Sequence, residues 1–492
     1  MSSPLRNLAE AQTRLRSAPV VAPDQIVSQP AVIATVLALD AAALIGAGLV
    51  AFRAAPVEAF AEPLHLALVL CAVALFAILI LRQRWGYTIP ALSRPLRQVV
   101  NCALALFLAL AALLVGSVIA DTPIAPVRDF AGHWWLFGWL GCTAVRVGAG
   151  LVLSTWRKAG RLARRTVIVG GGDAAEELIA RLDRSAGDTI QILGLFDDRD
   201  KERSPERIGA YVKLGRFDDL VNFCREQRVD LLIIALPLTA ETRILQLLKM
   251  LWVLPVDVRI SALSSKLKLR GRAYNYIGDV PFLPLFDKPM SDVAVAMKVI
   301  EDRVISGLAL VVLSPLLALI ALAVKLDSRG PVFFRQVRYG FNNERIDVYK
   351  FRSMYVDMAD AAGIKQATRD DPRVTRVGRF LRRSSLDELP QLFNVLLGDL
   401  SLVGPRPHAL QAQAEGQIYD QVVEGYFARH KVKPGITGWA QISGWRGETD
   451  TVEKIEQRVA HDLFYIENWS LMFDLRILVQ TPLSLITTRN AY

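Results

Sequence analysis

The chain is poor in cysteine and histidine, and neither residue type shows the spacing of a structural or metal site. Only 4 cysteines occur among 492 residues, no two form a Cys-x-x-Cys pair, and Cys71, Cys102 and Cys142 lie inside apolar runs. The 5 histidines are scattered, without the short spacings that metal ligands share. The sequence therefore predicts neither disulfide bonds nor a zinc site.

The chain also lacks a basic surface interleaved with aromatic residues, which nucleic-acid binding would need. The formal net charge is +10, so basic residues are in excess. In a membrane protein such an excess flanks the spans and faces anionic lipid, and we expect no nucleic-acid partner. The N-terminal region is polar for about 30 residues, which does not match a secretory signal.

Apolar sequence, in contrast, is abundant. Hydrophobic residues make up 52% of the chain and the mean hydropathy is +0.30, which is high for a soluble protein. Four apolar stretches have roughly 20 residues each, long enough for a helix to cross a hydrocarbon core about 30 Å thick. These stretches are 31–52, 64–81, 98–120 and 134–155. We therefore expect a membrane α-helical bundle of four spans over 31–156, after an N-terminal segment 1–30.

The basic residues between these stretches predict the orientation of the bundle. Arginines cluster in the N-terminal segment, after the second stretch and after the fourth, whereas the other two loops hold only Arg53 and Arg128. Positive charge stays on the cytoplasmic side, so both ends of the bundle are predicted to lie in the cytoplasm. Asp40 lies within the first stretch, where an acid either serves a function or makes a hydrogen bond that packs helices.

Residues 162–262 have the pattern of an α/β Rossmann-like domain. Short β-branched runs alternate with a helical segment over 174–182, which indicates a parallel, doubly wound sheet. The predicted strands are 166–170, 190–196, 230–235 and 256–260. Residues 263–290 are rich in proline and aromatics and are predicted to be a linker.

The first strand of this domain ends in a glycine turn. Gly170 and Gly172 belong to a Gly-x-Gly-x-x-Ala pattern, and Asp197 follows about 25 residues further along. Such a turn, together with the acid, can bind a nucleotide cofactor, with its pyrophosphate at a helix N-terminus. Alternatively, the glycines only permit a tight turn from strand to helix.

A fifth apolar stretch covers 304–324 and has basic residues on both flanks. Equal charge on both sides does not favour crossing, and Ser314-Pro315 lies at the midpoint, where proline bends a helix. We therefore predict a re-entrant membrane helix over about 297–325 that bends at Ser314 and Pro315. An ordinary span with a proline kink is the alternative.

The remaining chemistry is concentrated in the last part of the chain, 291–492. Six arginines between positions 373 and 406 surround the acidic pair Asp387 and Glu388. Arginine forks bind phosphate oxygens, and an acidic pair can supply a nucleophile and a magnesium ligand. Ser385-Leu-Asp-Glu388 also matches a helix capping box, although Pro390 would then fall inside the helix.

Several ordered motifs in this part resemble one protein family. They are Lys350-Phe-Arg-Ser-Met354, Arg382-Arg-Ser-Ser-Leu-Asp-Glu-Leu-Pro-Gln391, Ser401-Leu-Val-Gly-Pro-Arg-Pro407 and Lys433-Pro-Gly-Ile-Thr-Gly-Trp-Ala-Gln441. Residues 291–492 closely resemble the bacterial sugar transferases that load polyprenyl phosphate, and the upstream parts resemble the long members of that family. Gly444-Trp-Arg-Gly-Glu-Thr-Asp450 and the ending Asn490-Ala-Tyr492 resemble the glucose-phosphate loading group.

This resemblance implies a phosphoglycosyl transferase of the bacterial inner membrane, with a mainly α catalytic domain on the cytoplasmic face. It would move glucose-1-phosphate from UDP-glucose onto undecaprenyl phosphate, the first membrane step of exopolysaccharide or capsule synthesis. Asp387 would be the nucleophile and Glu388 the ligand of Mg²⁺. The phosphate-binding residues would be Lys350, Arg352, Arg382 and Arg406. The middle domain has no implied chemistry, so we expect it to serve regulation or oligomer contact, for instance in a homodimer.

Two other functions are compatible with parts of the sequence. A membrane-tethered, NAD-dependent enzyme that modifies nucleotide sugars would use the glycine turn, but it needs a Tyr-x-x-x-Lys pair, and Tyr211 has no such lysine. A transporter or scaffold without catalytic activity would leave the arginines around Asp387 and Glu388 unexplained.

Overall fold

The computed structural model describes most of the chain. The described residues are 27–84, 86–186, 189–199, 206–237, 239–263, 275–356, 371–408, 413–414, 417–418, 423, 425–445 and 451–487. Most of the predicted segment 1–30, the motif residues 446–450 and the ending 488–492 lie outside them. The chain forms two compact units. One comprises Val21–Ala163 with Asp292–Met297, and the other consists mainly of Arg164–Ser291 and Lys298–Tyr492.

The first unit is built from long apolar helices. Prolines at the first helical positions, where a missing N–H costs nothing, begin three of them: Pro30, Pro63 and Pro95. The helices are α1 (Gln29–Ala54), α2 (Pro63–Gln83), α3 (Ile89–Leu92), α4 (Pro95–Ile119) and α5 (Ile124–Lys158). All but the short α3 are long and apolar enough to cross a membrane, and they cover the four predicted stretches. The number of spans stays a prediction.

Asp40 pairs with an arginine inside this unit. The Arg146 guanidinium lies 2.7 Å from the Asp40 carboxylate, and the Tyr87 hydroxyl donates to the same oxygen at 2.9 Å. Arg146 also donates to the Gly86 carbonyl at 2.8 Å and to the Gln98 side chain at 2.5 Å. Asp40 and Arg146 are fully buried, so their ion pair joins α1 to α5. This geometry matches the helix-packing role, one of the two roles that the sequence left open.

An eight-stranded mixed sheet forms the Rossmann-like part of the second unit. Its strand order is β3-β4-β2-β1-β5-β6-β8-β7, with β4, β2, β1, β5 and β6 parallel. The strands are β1 (Arg164–Val169), β2 (Ile190–Phe196), β3 (Arg207–Ile208), β4 (Tyr211–Gly215), β5 (Leu231–Ile234), β6 (Asp257–Ser261), β7 (Asn275–Ile277) and β8 (Val280–Phe286). The four strands predicted from sequence are confirmed.

Helices α6 (Asp173–Ser185), α7 (Phe217–Glu226) and α8 (Glu241–Leu251) cover this sheet. Side chains of β5 are buried on both faces, as expected for a central parallel strand. Strands β7 and β8 pair antiparallel at one edge of the sheet. They come from the segment 263–290, so residues 275–286 belong to the sheet and not to the predicted linker.

The rest of the second unit follows one long helix, α9 (Asp292–Asp327), which runs through Pro315 as a single element. The Ser314 hydroxyl donates to the Val311 carbonyl at 2.8 Å. Helix α9 is also long and apolar enough to cross a membrane. The re-entrant path with a bend at Pro315 therefore stays a prediction.

Short elements after α9 surround a small apolar core. That core includes Val348, Val395, Tyr465 and Ile477. The strands are β9 (Phe333–Tyr339), β10 (Arg345–Phe351), β11 (Ser401–Val403), β12 (Gln413–Ala414), β13 (Gln417–Ile418) and β14 (Gly435–Thr437). The helices are α10 (Arg376–Ser384), α11 (Gln391–Leu397), α12 (Trp439–Ile442), α13 (Val452–Glu467) and α14 (Leu471–Thr487), with 3₁₀ turns at Leu386–Glu388 and Tyr426–Lys431. Strands β9 and β10 form a hairpin, and β11 pairs parallel with β14.

Candidate active site

Asp387 and Glu388 lie in a tight turn between two helices. Helix α10 ends at Ser384, its C-cap Ser385 has a positive φ of 57° that reverses the chain, and a 3₁₀ turn over Leu386–Glu388 follows. Pro390 then occupies the N-cap of α11, where its missing N–H does no harm. Glu388 does not reach back to cap a helix, because other residues bind its carboxylate. The capping-box interpretation is therefore wrong.

Two basic side chains hold Glu388. Lys350, on β10, donates to one carboxylate oxygen at 2.9 Å. Arg406, which follows β11, donates to the same oxygen at 2.6 Å and to the other at 3.2 Å, so it binds as a fork. Burial alone would raise the pKa of Glu388, but Arg406 and Lys350 outweigh it and hold the pKa well below its ordinary value. Glu388 is therefore ionised at neutral pH.

Asp387 is placed differently from its neighbour. Its side chain is buried, and none of the described residues donates a hydrogen bond to its carboxylate. Burial raises the pKa of Asp387 to about 6, and the negative Glu388 adds to this effect. Lys350, Arg382 and Arg406 act in the opposite direction. The Asp387 carboxylate is thus ionised at pH 7 and lies close to three cations, and it accepts no hydrogen bond from the described residues.

The structure brings most of the predicted catalytic group together. Lys350, Arg382 and Arg406 all lie close enough to influence the charge of Asp387. These residues come from β10, from α10 and from the segment after β11, which are far apart in sequence. We call Asp387, Glu388, Lys350, Arg382 and Arg406 the acid–arginine cluster.

Arg352, the fourth predicted phosphate-binding residue, donates to the end of a helix. Its guanidinium donates to the carbonyls of Val324 and Ser328 at 3.0 and 2.6 Å, and to the Ser328 hydroxyl at 3.0 Å. The last carbonyls of a helix have no intrahelical donor, so Arg352 satisfies the C-terminal end of α9. Its Nε and Nη1 atoms have no hydrogen-bond partner among the described residues, so phosphate binding by Arg352 stays a prediction.

The glycine turn after β1 is bonded to a nearby arginine, Arg199. Gly170 and Gly172 have φ values of 113° and 72°, which favour glycine. Asp197 is fully buried at the end of β2, and the Arg199 guanidinium binds its carboxylate at 3.1 Å. Arg199 also donates to the Gly171 carbonyl at 2.5 Å. The carboxylate predicted to take part in cofactor binding is therefore bonded within the chain, and nucleotide binding there stays a prediction.

A buried polar group behind Arg406 was missed from the sequence. Arg429 is 1% exposed, pairs with Asp462 at 2.7 Å and donates to the Arg406 carbonyl at 2.7 Å. The sequence does not distinguish a buried arginine from an exposed one. The short segment Tyr426–Lys431 also has no hydrophobic periodicity from which the burial of Arg429 could have been predicted.

The described residues permit Mg²⁺ binding only with help from substrate. Among them, no three His, Cys, Asp or Glu side chains lie close enough together to hold a metal ion. The Asp387 carboxylate and the second oxygen of Glu388, which accepts one bond from Arg406, still have acceptor capacity. Mg²⁺ commonly binds one or two carboxylates plus substrate phosphates and water. The acid–arginine cluster fits that mode of binding.

Comparison with known proteins gives consistent matches over both units. A family described as bacterial sugar transferase matches residues 293–488, and a family described as CoA-binding domain matches residues 86–262. The chain is 39% identical over 359 residues to a UDP-glucose:undecaprenyl-phosphate glucose-1-phosphate transferase of Klebsiella pneumoniae, covering 73% of this chain and 76% of the relative. A protein with the same name from Escherichia coli (strain K12) is 42% identical over 352 residues, covering 71% of this chain and 73% of the relative.

A third relative is longer than the part that matches. It is an undecaprenyl-phosphate glucose phosphotransferase of Komagataeibacter xylinus, 42% identical over 342 residues. The match covers 69% of this chain and 62% of that relative, which is less than two thirds of its length.

Proposed function

Because the chain belongs to the bacterial sugar transferase family, we propose that it transfers glucose-1-phosphate from UDP-glucose to undecaprenyl phosphate and releases UMP. One observation carries this proposal: Asp387 is a buried carboxylate that accepts no hydrogen bond from the described residues, yet lies among Lys350, Arg382 and Arg406. A nucleophile needs such a free lone pair, and a diphosphate needs such positive charge. The reaction would begin exopolysaccharide or capsule synthesis at the membrane.

The first chemical step uses Asp387 as the nucleophile. A carboxylate oxygen of Asp387 attacks the β-phosphorus of UDP-glucose, and the bond from that phosphorus to the bridging oxygen breaks. The electron pair leaves with the bridging oxygen, so UMP departs and glucose-1-phosphate is joined to Asp387 as an acyl phosphate. No proton needs to be removed from Asp387, because it is already ionised above a pKa of about 6.

The second step regenerates the enzyme. A phosphate oxygen of undecaprenyl phosphate attacks the same phosphorus, and the bond between phosphorus and the Asp387 oxygen breaks. The products are the lipid diphosphate sugar and free Asp387. Two displacements at one carboxylate predict ping-pong kinetics, since UMP leaves before the lipid reacts.

The basic residues and Glu388 have separate roles in this proposal. Lys350, Arg382 and Arg406 bind phosphate oxygens and stabilise the charge that develops on them. Glu388 orients Lys350 and Arg406 through the hydrogen bonds described above. We propose Glu388 also as the protein ligand of Mg²⁺, which when bound offsets negative charge on the diphosphate.

Loss of UMP release on removal of the nucleophile tests this function. Purified protein in detergent is incubated with UDP-glucose, Mg²⁺ and undecaprenyl phosphate, and UMP is measured. Asp387→Asn should abolish release, because an amide cannot form the acyl phosphate. Asp347→Asn is the matched control, since Asp347 is exposed on β10 outside the acid–arginine cluster. Wild-type turnover in Asp387→Asn would contradict the proposal.

For the membrane arrangement we propose four spans in the bacterial inner membrane, with both ends of the bundle in the cytoplasm. A re-entrant α9 follows them. The basic segments beside the spans and Pro315 within α9 support this arrangement. Ser291→Cys and Arg329→Cys place labels at exposed positions before and after α9. In intact inverted vesicles of a background without native cysteines, both should react with an impermeant reagent. Protection of only one of them would show that α9 crosses the membrane.

A further inference from the structure

The 3₁₀ turn Tyr426–Lys431 contacts the Rossmann-like part of the second unit on one side. The Arg225 guanidinium, from α7, lies 4.9 Å from the centre of the Phe427 ring. The Lys431 ammonium lies 5.5 Å from the centre of the Trp252 ring, directly after α8. Both are cation–π contacts between residues far apart in sequence.

Gly425 brings the turn close to Trp252. Its φ is 75°, a backbone conformation that residues other than glycine rarely adopt. A Cβ at position 425 would overlap two atoms of the Trp252 ring. Any larger residue therefore has to move either the turn or the indole.

On its other side the same turn holds the acid–arginine cluster. Arg429 is fixed by its ion pair with the buried Asp462, and its guanidinium lies 2.6 Å from the His408 ring nitrogen. Its second amino group donates to the Arg406 carbonyl at 2.7 Å. The Arg406 side chain in turn binds Glu388 as a fork. Contacts thus run without a gap from Trp252 through the turn and Arg429 to Glu388.

We propose that the Rossmann-like part sets the position of Arg406 through the turn Tyr426–Lys431, with Trp252 on Gly425 as the docking contact and Arg429 as the positioning residue. The proposal rests on the proposed function, because the sugar-phosphate transfer reports on Arg406. It assigns the Rossmann-like part a role in catalysis that needs no bound nucleotide.

A double-mutant cycle on the full chain tests the docking contact. Gly425→Ala should lower kcat about tenfold and change KM less than about twofold, because Arg406 acts in the transition state. Trp252→Ala removes the overlap but loosens the turn, and should lower kcat about threefold. The double variant should lose less than the product of the two single losses, since removing the indole relieves the overlap and leaves only the backbone strain at position 425. Losses that multiply would overturn the proposal.

Arg429→Lys tests the positioning residue. Lysine keeps a positive charge but lacks the guanidinium fork, in which one amino group reaches both the Asp462 carboxylate and the Arg406 carbonyl while the other reaches His408. We expect kcat to fall about tenfold at unchanged KM and an unchanged unfolding midpoint. Wild-type kcat in this variant would overturn the role of Arg429.

One control variant and one fallback measurement make every outcome decisive. Tyr276→Ala removes an exposed aromatic from the same sheet and should leave kcat unchanged. If Gly425→Ala does not fold, Trp252→Ala decides alone, and a kcat equal to wild type then overturns the proposal. Failure of the wild-type chain to release UMP would refute the proposed function instead, whereas an active wild type with unaffected variants would refute only the coupling.

Discussion

Two buried groups of charged residues in this chain differ in their charge balance. The difference shows how an ion pair that stabilises helix packing is distinguished from a candidate active site. In the first unit, Asp40 faces one arginine, Arg146, and the two charges balance. In the second unit, Asp387 and Glu388 face three cations, and only Glu388 is hydrogen-bonded by them. The ion pair of the first group stabilises the packing of α1 against α5. In the proposed reaction, the second offers positive charge and the Asp387 carboxylate to a phosphate substrate.

The largest effect is expected from breaking the balanced pair. Arg146→Met leaves Asp40 buried without its cation, which costs about 3–5 kcal/mol of stability when a buried ion pair loses one partner. We expect a marked fall in the thermal unfolding midpoint in detergent. Activity per folded molecule should be unchanged, because Arg146 binds Asp40, Gly86 and Gln98 and so serves the packing of the first unit.

Two further variants check that reading of the first unit. Arg128→Met removes an arginine whose side chain is 70% exposed and which pairs, within the described part of the chain, with exposed Asp129, so the midpoint should not move. Asp40→Leu combined with Arg146→Met should recover part of the loss. A stable Arg146→Met protein with impaired turnover would instead assign Asp40 and Arg146 to function.

A smaller effect, mainly on rate, is expected from the unbalanced group. Glu388→Gln removes the charge that orients Lys350 and Arg406, and should lower kcat about 10²–10³-fold, as loss of a preorganised electrostatic contact does. The unfolding midpoint should fall less than in Arg146→Met, because Asp387 stays beside the two cations that lose Glu388. Glu453→Gln, at an exposed position in the first turn of α13, is the control and should be fully active. Unchanged kcat in Glu388→Gln would mean that Glu388 is structural.

The smallest effect is a shift in the pH profile of kcat/KM. Burial raises the pKa of Asp387 to about 6, so activity should be present above that pH and be lost as the pH falls through it. Arg382 lowers this pKa, so Arg382→Gln should move the acid limb to higher pH by roughly one unit or less. Arg383→Gln, exposed on the same helix, should leave the limb in place. A shift to lower pH in Arg382→Gln would contradict the assignment.

The sequence predicted the alternating strands of the Rossmann-like part well, because buried parallel strands are continuous β-branched runs. It misassigned 275–286 as a linker, since Pro281 and Pro284 argue against a central strand. The structure shows both prolines in β8, an antiparallel strand near the sheet edge, paired with Tyr276 and Arg259. Proline is tolerated where the ladder does not need its N–H.

At the acid–arginine cluster, too, the sequence predicted some features and missed others. Ordered motifs predicted the acid–arginine cluster, but they could not tell Lys350 from Arg352, two residues apart in one motif. Only the fold shows that one binds Glu388 and the other the end of α9. Arg429 and Asp462 could not be predicted, because their importance comes from burial against Arg406 and not from their spacing.

The central claim is that Asp387 carries the sugar phosphate. It is tested most directly by incubating the delipidated full-length protein with UDP-glucose and Mg²⁺ but no lipid acceptor, then quenching and analysing it by mass spectrometry. The account predicts one hexose phosphate on the peptide that contains Asp387, its loss when undecaprenyl phosphate is added, and no adduct in Asp387→Asn. Transfer to lipid with no adduct at Asp387 at any time would contradict it.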